Sequence, residues 1–95
     1  MQETNPIEQI RNENDEETII GLPYRVILYN DDVHSFEEVI SQLVKAVKCS
    51  YEEARNFAFE AHVKGKAVVF SGNIGDCLKV TSILEEIELH TQILS

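Results

Sequence analysis

The stretch from 24 to 38 constrains the fold more than any other part of the chain, because strand, turn and helix signals follow one another directly. Within Tyr24–Tyr29 the strand signals are the β-branched and aromatic residues Tyr24, Val26, Ile27 and Tyr29. Asn30–Asp32 then predicts a turn, since Asn and Asp side chains bond nearby backbone. Ser35 with Glu38 three residues later forms a capping box, which predicts a helix. The stretch therefore predicts a strand and a helix joined by a turn that carries one amide and two carboxylates.

The rest of the chain repeats these signals. Apolar residues at steps of three and four predict that the first helix runs to about Val47. A second capping box at Ser50 begins another helix, which Gly65 ends. A strand is predicted at 66–70. A third helix follows, capped by Asn73 and with an apolar stripe that reaches Ile87. A closing strand is predicted at 89–94. This order, β-α-α-β-α-β, predicts an α+β fold: a small α/β sandwich in which a three-stranded antiparallel sheet packs on three helices.

The first 21 residues differ in composition from the rest. They carry many carboxylates, one arginine and only scattered apolar residues, so they cannot bury enough surface to offset their ordering entropy. We therefore expect a flexible acidic tail at 1–21 and one folded domain at 22–95. Pro23 marks the boundary, where it suits the first position of an edge strand.

Net charge excludes several partner classes. With 17 acidic and 8 basic residues the formal charge is −9, which argues against nucleic acid and against anionic membrane surfaces. The sequence contains no apolar run of spanning length and does not begin like a secretion signal. The expected location is therefore the cytoplasm.

Metal and thiol chemistry are not expected. Cys49 and Cys77 are isolated, and zinc needs three or four well-spaced ligands, so we predict neither a metal site nor a cofactor. In a cytoplasmic chain, such cysteines most often serve as small buried hydrophobes.

Two features have both a structural and a functional interpretation. The Asn30–Asp32 turn is either solvated or a site for a cationic group beside apolar surface. His62 shares a helix face with Ala58 and Ala61, and is either a boundary histidine or a ligand-facing one at the rim of an apolar pocket. The residues alone do not establish the functional interpretation of the turn or of His62.

A family resemblance covers Tyr24 to Leu94. The sequence Tyr-Arg-Val-Ile-Leu-Tyr-Asn-Asp-Asp at 24–32 and Ala-His-Val-Lys-Gly-Lys-Ala-Val at 61–68 resemble ClpS, the adaptor that recognises N-terminal degradation signals for Clp proteases. The spacing between the two blocks matches the family without a gap, as does the acidic tail. The resemblance implies an α/β sandwich, a fold also seen in the C-terminal domain of a ribosomal stalk protein.

The resemblance also implies a function and a site. It implies a non-enzymatic adaptor that binds the free α-amino group and the bulky apolar first residue (Leu, Phe, Tyr or Trp) of a substrate protein. Its other implied partner is the N-terminal domain of a Clp-type AAA+ unfoldase. By analogy, Asn30, Asp31 and His62 hold the amino group. The pocket positions carried over are Phe36, Val39, Ala58, Ala61 and, from the last strand, Leu89.

The sequence departs from the common family pattern near this pocket. Methionine is frequent in the family where Phe36 and Ala58 stand here, and Thr-Pro is commoner than His34-Ser35. Two other functions remain open on the residues. One is a hydrolase using Asp31, Asp32 and His62, without an evident nucleophile. The other is a scaffold domain of the same fold that has no peptide pocket.

Overall fold

The computed structural model describes residues 23–95, so the predicted tail at 1–21 and residue 22 lie outside the described residues. The predicted order of elements is confirmed. The elements are β1 (Tyr24–Tyr29), α1 (Phe36–Val47), α2 (Tyr51–Lys64), β2 (Lys66–Gly72), α3 (Ile74–Leu84), a short 3-10 helix (Glu85–Ile87) and β3 (Thr91–Leu94). The sheet is antiparallel with the order β2-β1-β3, which confirms the α+β fold class.

The three helix starts lie where the caps predicted them. Ser35 Oγ accepts a hydrogen bond from the backbone N–H of Glu38, and the Glu38 carboxylate accepts one from the N–H of Ser35. The same reciprocal pair begins α2, and Asn73 caps α3. Gly65 ends α2 in the left-handed region with a φ of 89°, a conformation that favours glycine. Local chemistry therefore fixes the ends of these helices.

The predictions for β1 and β2 need two corrections. β2 does not stop at 70, because Ser71 pairs with Arg25 and Gly72 pairs with Tyr24. Pairing along the full length of β1 outweighs the turn tendency of Ser-Gly. Pro23 was expected at an edge strand, but β1 is the middle strand and begins one residue later. The missing N–H of proline therefore falls outside the ladder.

The segment after α3 also differs from the prediction. The apolar stripe continues to Ile87, but α3 ends at Leu84 and a 3-10 helix follows. Glu88 then adopts left-handed backbone, with a φ of 66°, and the N–H of Leu89 donates to the Leu84 carbonyl over 3.3 Å. β3 therefore begins at Thr91, and Leu89 belongs to the preceding turn instead of the last strand.

The core lies between the sheet and the helices. Alternate residues of β1 and β2 point into it, as the two-residue period of a strand requires. α1 contributes bulky side chains, whereas α2 contributes only alanines. The buried cluster comprises Val26, Leu28, Ile40, Leu43, Ala46, Ala54, Ala58, Ala61, Ala67, Val69, Cys77, Val80, Leu84 and Leu89. No helix within residues 23–95 has the length and apolar content that crossing a bilayer needs.

Both cysteines are free thiols. Cys77 is buried in the core, as expected, and Cys49 is half-buried. Burial raises the pKa of both thiols, so the thiolate form that reacts is disfavoured. Neither thiol lines the cavity described next.

Candidate functional site

A cavity of about 320 Å³ opens where four segments meet: the end of β1, the start of α1, the last turns of α2 and the turn before β3. This volume is in the range of small-ligand pockets. The cavity brings together all eight site residues suggested by the sequence: Asn30, Asp31, Phe36, Val39, Ala58, Ala61, His62 and Leu89. Its other lining residues are Leu28, Tyr29, Asp32 and His34.

A backbone hydrogen bond places Asn30 beside the end of α2. The N–H of Asn30 donates to the carbonyl of Gly65 over 3.0 Å, and the N–H of Gly65 donates to the carbonyl of Ala61 over 2.8 Å. His62 precedes Gly65 by three residues, so it lies on the last turn of the same helix. The glycine that ends α2 therefore joins the two blocks of sequence that carry the resemblance.

Asp31 is held by its own loop. Its Oδ1 accepts hydrogen bonds from the backbone N–H groups of Val33 and His34, both at 3.0 Å, and its Oδ2 lies 2.9 Å from His34 Nδ1. Burial by itself raises the pKa of Asp31, but these bonds outweigh it and the pKa is lowered. Asp31 is thus an oriented carboxylate, with most of its acceptor positions taken by the chain.

His34 is the site residue whose role the sequence analysis missed. Its Nδ1 faces Asp31, its Nε2 lies 2.5 Å from the carbonyl oxygen of Ile87, and its side chain is only 13% exposed. The hydrogen bond with Asp31 raises the pKa of His34 against the effect of burial, and the bond with Ile87 adds to the rise. The Asp-x-x-His spacing is a signal for the first contact. Nothing in the sequence indicates the second, which joins residues 53 positions apart.

His62 and Phe36 form one side of the cavity mouth. Their rings meet edge to face, with centroids 5.4 Å apart and an interplanar angle of 80°. His62 is exposed, and 46% of Phe36 is exposed, so the pair lies where the cavity opens to solvent. The aromatic contact restricts the orientation of the imidazole.

The floor of the cavity is apolar. Ala58 is 4% exposed, Ala61 and Leu89 are each 3% exposed, and Val39 is half-buried. Because α2 presents methyl groups here, the space above them stays open. Leu89 reaches the cavity from the turn before β3.

The cavity therefore combines two chemistries in one space. The lining amide, carboxylate and imidazole groups are exposed or half-buried, and we call them the polar end; the buried residues Ala58, Ala61 and Leu89 form the floor, which we call the apolar end. No Lys or Arg is among the twelve lining residues in the described part of the chain, so the polar end suits a cation better than an anion.

Comparison with known proteins shows which family the sequence matches. Residues 21–92 match the family model of the ATP-dependent Clp protease adaptor protein ClpS. The chain is 34% identical over 76 residues to the E3 ubiquitin-protein ligase UBR1 of Drosophila melanogaster, a match that covers 79% of this chain and 4% of the ligase. It is 43% identical over 51 residues to the chloroplastic ATP-dependent Clp protease adapter protein CLPS1 of Arabidopsis thaliana, covering 53% of this chain and 32% of the adapter.

A solved structure has the same fold. Agrobacterium tumefaciens ClpS2 bound to L-phenylalaninamide superposes with a TM-score of 0.67 at 23% sequence identity, covering 75% of this chain and 95% of ClpS2. In contrast, this chain spans about a third of the chloroplast adapter and a small fraction of the fly ligase.

Proposed function

The chain belongs to the ClpS family of Clp protease adaptors, and from that membership we propose that its cavity binds the free N-terminus of proteins whose first residue is bulky and apolar. The observation that carries the proposal is the division of one cavity into an acceptor-rich end and an apolar end. The ligand of Agrobacterium ClpS2, L-phenylalaninamide, has the same two parts: a free α-amino group and an apolar side chain. The proposed role is that of a non-catalytic adaptor.

The polar end matches an α-ammonium group in hydrogen-bonding capacity. An ammonium has three N–H donors and no acceptor, so it needs oxygen or unprotonated ring nitrogen around it. We assign this role to Asn30, Asp31 and His62. His62 can accept such a hydrogen bond only through an unprotonated ring nitrogen.

The apolar end takes the first side chain. Burying a Leu or Phe side chain contributes about 1.5–3 kcal/mol, and each hydrogen bond to the charged amino group about 1.5–3 kcal/mol. After the cost of association and ordering, these sums correspond to a Kd on the order of micromolar. Both parts are needed: an internal Leu lacks the ammonium, and an N-terminal Lys or Asp lacks the apolar body.

Two pocket residues shape the preference among apolar side chains. Ala58 at the floor leaves depth that the methionine common in the family would fill, whereas the Phe36 ring adds bulk at the mouth. A deep cavity behind an aromatic rim favours long side chains over short β-branched ones. We therefore propose that the pocket prefers Phe, Tyr, Trp and Leu as the first residue. We also propose that it discriminates against Ile and Val to a different degree than a pocket with the common methionines would.

Delivery of the bound protein follows from the family. As a ClpS adaptor, the chain would dock on the N-terminal domain of a Clp-type AAA+ unfoldase, with the acidic segment at 1–21 contributing. The likeness to E3 ubiquitin-protein ligases over 79% of the chain favours a second candidate, in which the same recognition step serves ubiquitin ligation. The two candidates are separated by measuring how fast a Clp protease degrades a reporter with an N-terminal Leu, with and without this protein. Faster degradation in its presence supports delivery to the Clp protease.

A fluorescence titration tests the recognition step itself. The titration uses labelled peptides that differ only in the first residue: Leu, Phe, Val, Ala or Lys. The Leu and Phe peptides should bind with a Kd on the order of micromolar, and the Ala and Lys peptides at least about tenfold more weakly. Equal affinity for Leu and Ala would support the alternative of a scaffold domain without a pocket. A ranking of Val above Phe would reject the assigned pocket shape.

A further inference from the structure

His34 lies between two groups that can only accept hydrogen bonds. Its Nδ1 is 2.9 Å from a carboxylate oxygen of Asp31, and its Nε2 is 2.5 Å from the carbonyl oxygen of Ile87. A neutral imidazole donates from only one nitrogen, whereas an imidazolium donates from both. The two contacts are therefore satisfied together only when His34 is protonated.

The two partners of His34 belong to different segments of the chain, and only Asp31 lines the cavity itself. Asp31 lies at the polar end, in the loop between β1 and α1. Ile87 ends the 3-10 helix, two residues before Leu89, which forms part of the apolar floor. No other side-chain hydrogen bond of the described residues joins this loop to the 3-10 helix.

We propose that His34, as an imidazolium, is a positioning residue that fixes Asp31 relative to Leu89, and that affinity for N-terminal peptides therefore falls when His34 loses its proton. The inference rests on the proposed function and adds a residue to it. His34 acts through Asp31 and the Ile87 carbonyl and does not itself hold the peptide.

The charges around His34 agree with this role. Asp31 in the loop and Glu38 in the first turn of α1 both favour the protonated ring, and the 3-10 helix contributes the Ile87 carbonyl. Asp32 and His62 line the same cavity. The positive charge of His34 also opposes a bound ammonium, so the proposal requires the orienting effect to exceed that repulsion.

The pH range follows from the directions of the two pKa shifts. The pKa of His34 is raised in the folded state, so its stabilising contribution is complete below about pH 6.5, the reference value, and is lost as pH rises through the folded value. The pKa of Asp31 is lowered, so its contribution is present above about pH 3.9 and is lost as pH falls through the folded value. The contact is thus strongest in mildly acidic solution and weakens in alkali.

Ring-nitrogen NMR without peptide tests the contact first. His34 should show two protonated nitrogens in mildly acidic solution and titrate above about pH 6.5, and the Leu89 resonances should shift with the same midpoint. A neutral His34 ring at pH 6.5, or Leu89 resonances that do not follow it, would overturn the inference. This measurement does not depend on whether a peptide binds, so it separates a failure of the His34 contact from a failure of the proposed function.

Peptide titrations from pH 6.5 to 9 then test the effect on affinity. His34→Ala should weaken binding of an N-terminal Leu peptide by about tenfold at pH 6.5, and its affinity should fall less with rising pH than that of the unaltered protein. The α-amino group of the peptide also loses its proton near pH 8, so the difference between the two pH profiles is the relevant quantity.

Two further variants complete this test. His34→Gln keeps an N–H donor that does not titrate, so it should restore part of the affinity and show the shallow profile of His34→Ala. His90→Ala, which removes an exposed histidine outside the cavity, should behave like the unaltered protein. Tighter binding by His34→Ala would mean that repulsion dominates, and unchanged affinity and profile would mean that the contact has no effect on the site. Either result would overturn the inference.

Discussion

The two ends of the cavity are built in different ways. At the polar end, Asn30 and His62 are exposed and Asp31 is held by three hydrogen bonds within its loop. At the apolar end, Ala58 and Leu89 are buried and are part of the core. Asn30 and His62 therefore lie at the mouth and can be altered with little effect on folding, whereas the floor is shared with the core and changes there affect stability as well.

Under the proposed function, this difference would let a domain of this size discriminate between peptides by their first residue. The floor is set by helix packing and accepts several side chains of similar size, since van der Waals contact is not directional. The mouth depends on a few oriented acceptors, and a group that lacks matching donors leaves them unsatisfied. Under the proposed function, the mouth therefore selects for a free amino group, and the floor ranks the side chain of that same first residue.

The largest expected effect of a single substitution is at the mouth. Asn30→Ala removes an amide oxygen but keeps the backbone N–H that bonds to Gly65. Loss of a hydrogen bond to a charged group corresponds to about 10- to 100-fold weaker binding, with stability changed by less than about 0.5 kcal/mol. Asn56 is an exposed residue of α2 outside the cavity, so Asn56→Ala is the matched control. Peptide titrations of Asn30→Ala and Asn56→Ala measure the difference. Equal affinity of the two variants would remove Asn30 from the site.

A smaller effect is expected where the mouth meets the floor. Phe36→Ala removes apolar wall and the edge-to-face contact with His62, which together correspond to a roughly tenfold loss of affinity for an N-terminal Phe peptide. Phe59→Ala is a matched control, since Phe59 is 59% exposed on α2 and lies outside the cavity. Calorimetry that gives both variants the same Kd would show that the Phe36 ring is not part of the site.

The smallest effect separates folding from recognition. Ser35→Ala and Ser50→Ala each remove a capping box, so each should lower the free energy of unfolding by about 0.5–2 kcal/mol. Only Ser35 adjoins the cavity, between His34 and Phe36, so only its variant should also lose affinity, by a few-fold. Urea denaturation measures the first quantity and peptide titration the second. A comparable loss of affinity in Ser50→Ala would mean that the site responds to global stability alone.

The sequence predicted the locally determined features well. Helix starts depend on side chains three residues from the cap, so Ser35, Ser50 and Asn73 were sufficient to place them. The alanine face of α2 and its end at Gly65 also followed from local spacing. The resemblance, carried by two separated blocks, then suggested residues that the fold brings into one cavity.

Features that depend on distant partners were not predicted. The end of β2 depends on pairing with β1, and the Leu89 turn depends on a bond to Leu84. Gln42 is buried and its amide donates to the Ile83 carbonyl over 2.6 Å, a contact for which the local sequence gives no signal. The His34 contact with Ile87 belongs to the same class, because a backbone carbonyl 53 residues away leaves no pattern in the sequence.

The central claim is recognition of a free amino group at the mouth of the cavity. Its most direct test is calorimetry with two peptides that begin with Leu and differ only in acetylation of the α-amino group. The free peptide should bind with a Kd on the order of micromolar, and the acetylated one at least about 100-fold more weakly, since it loses the charge and most of the donors. Equal affinity of the two peptides would contradict the account.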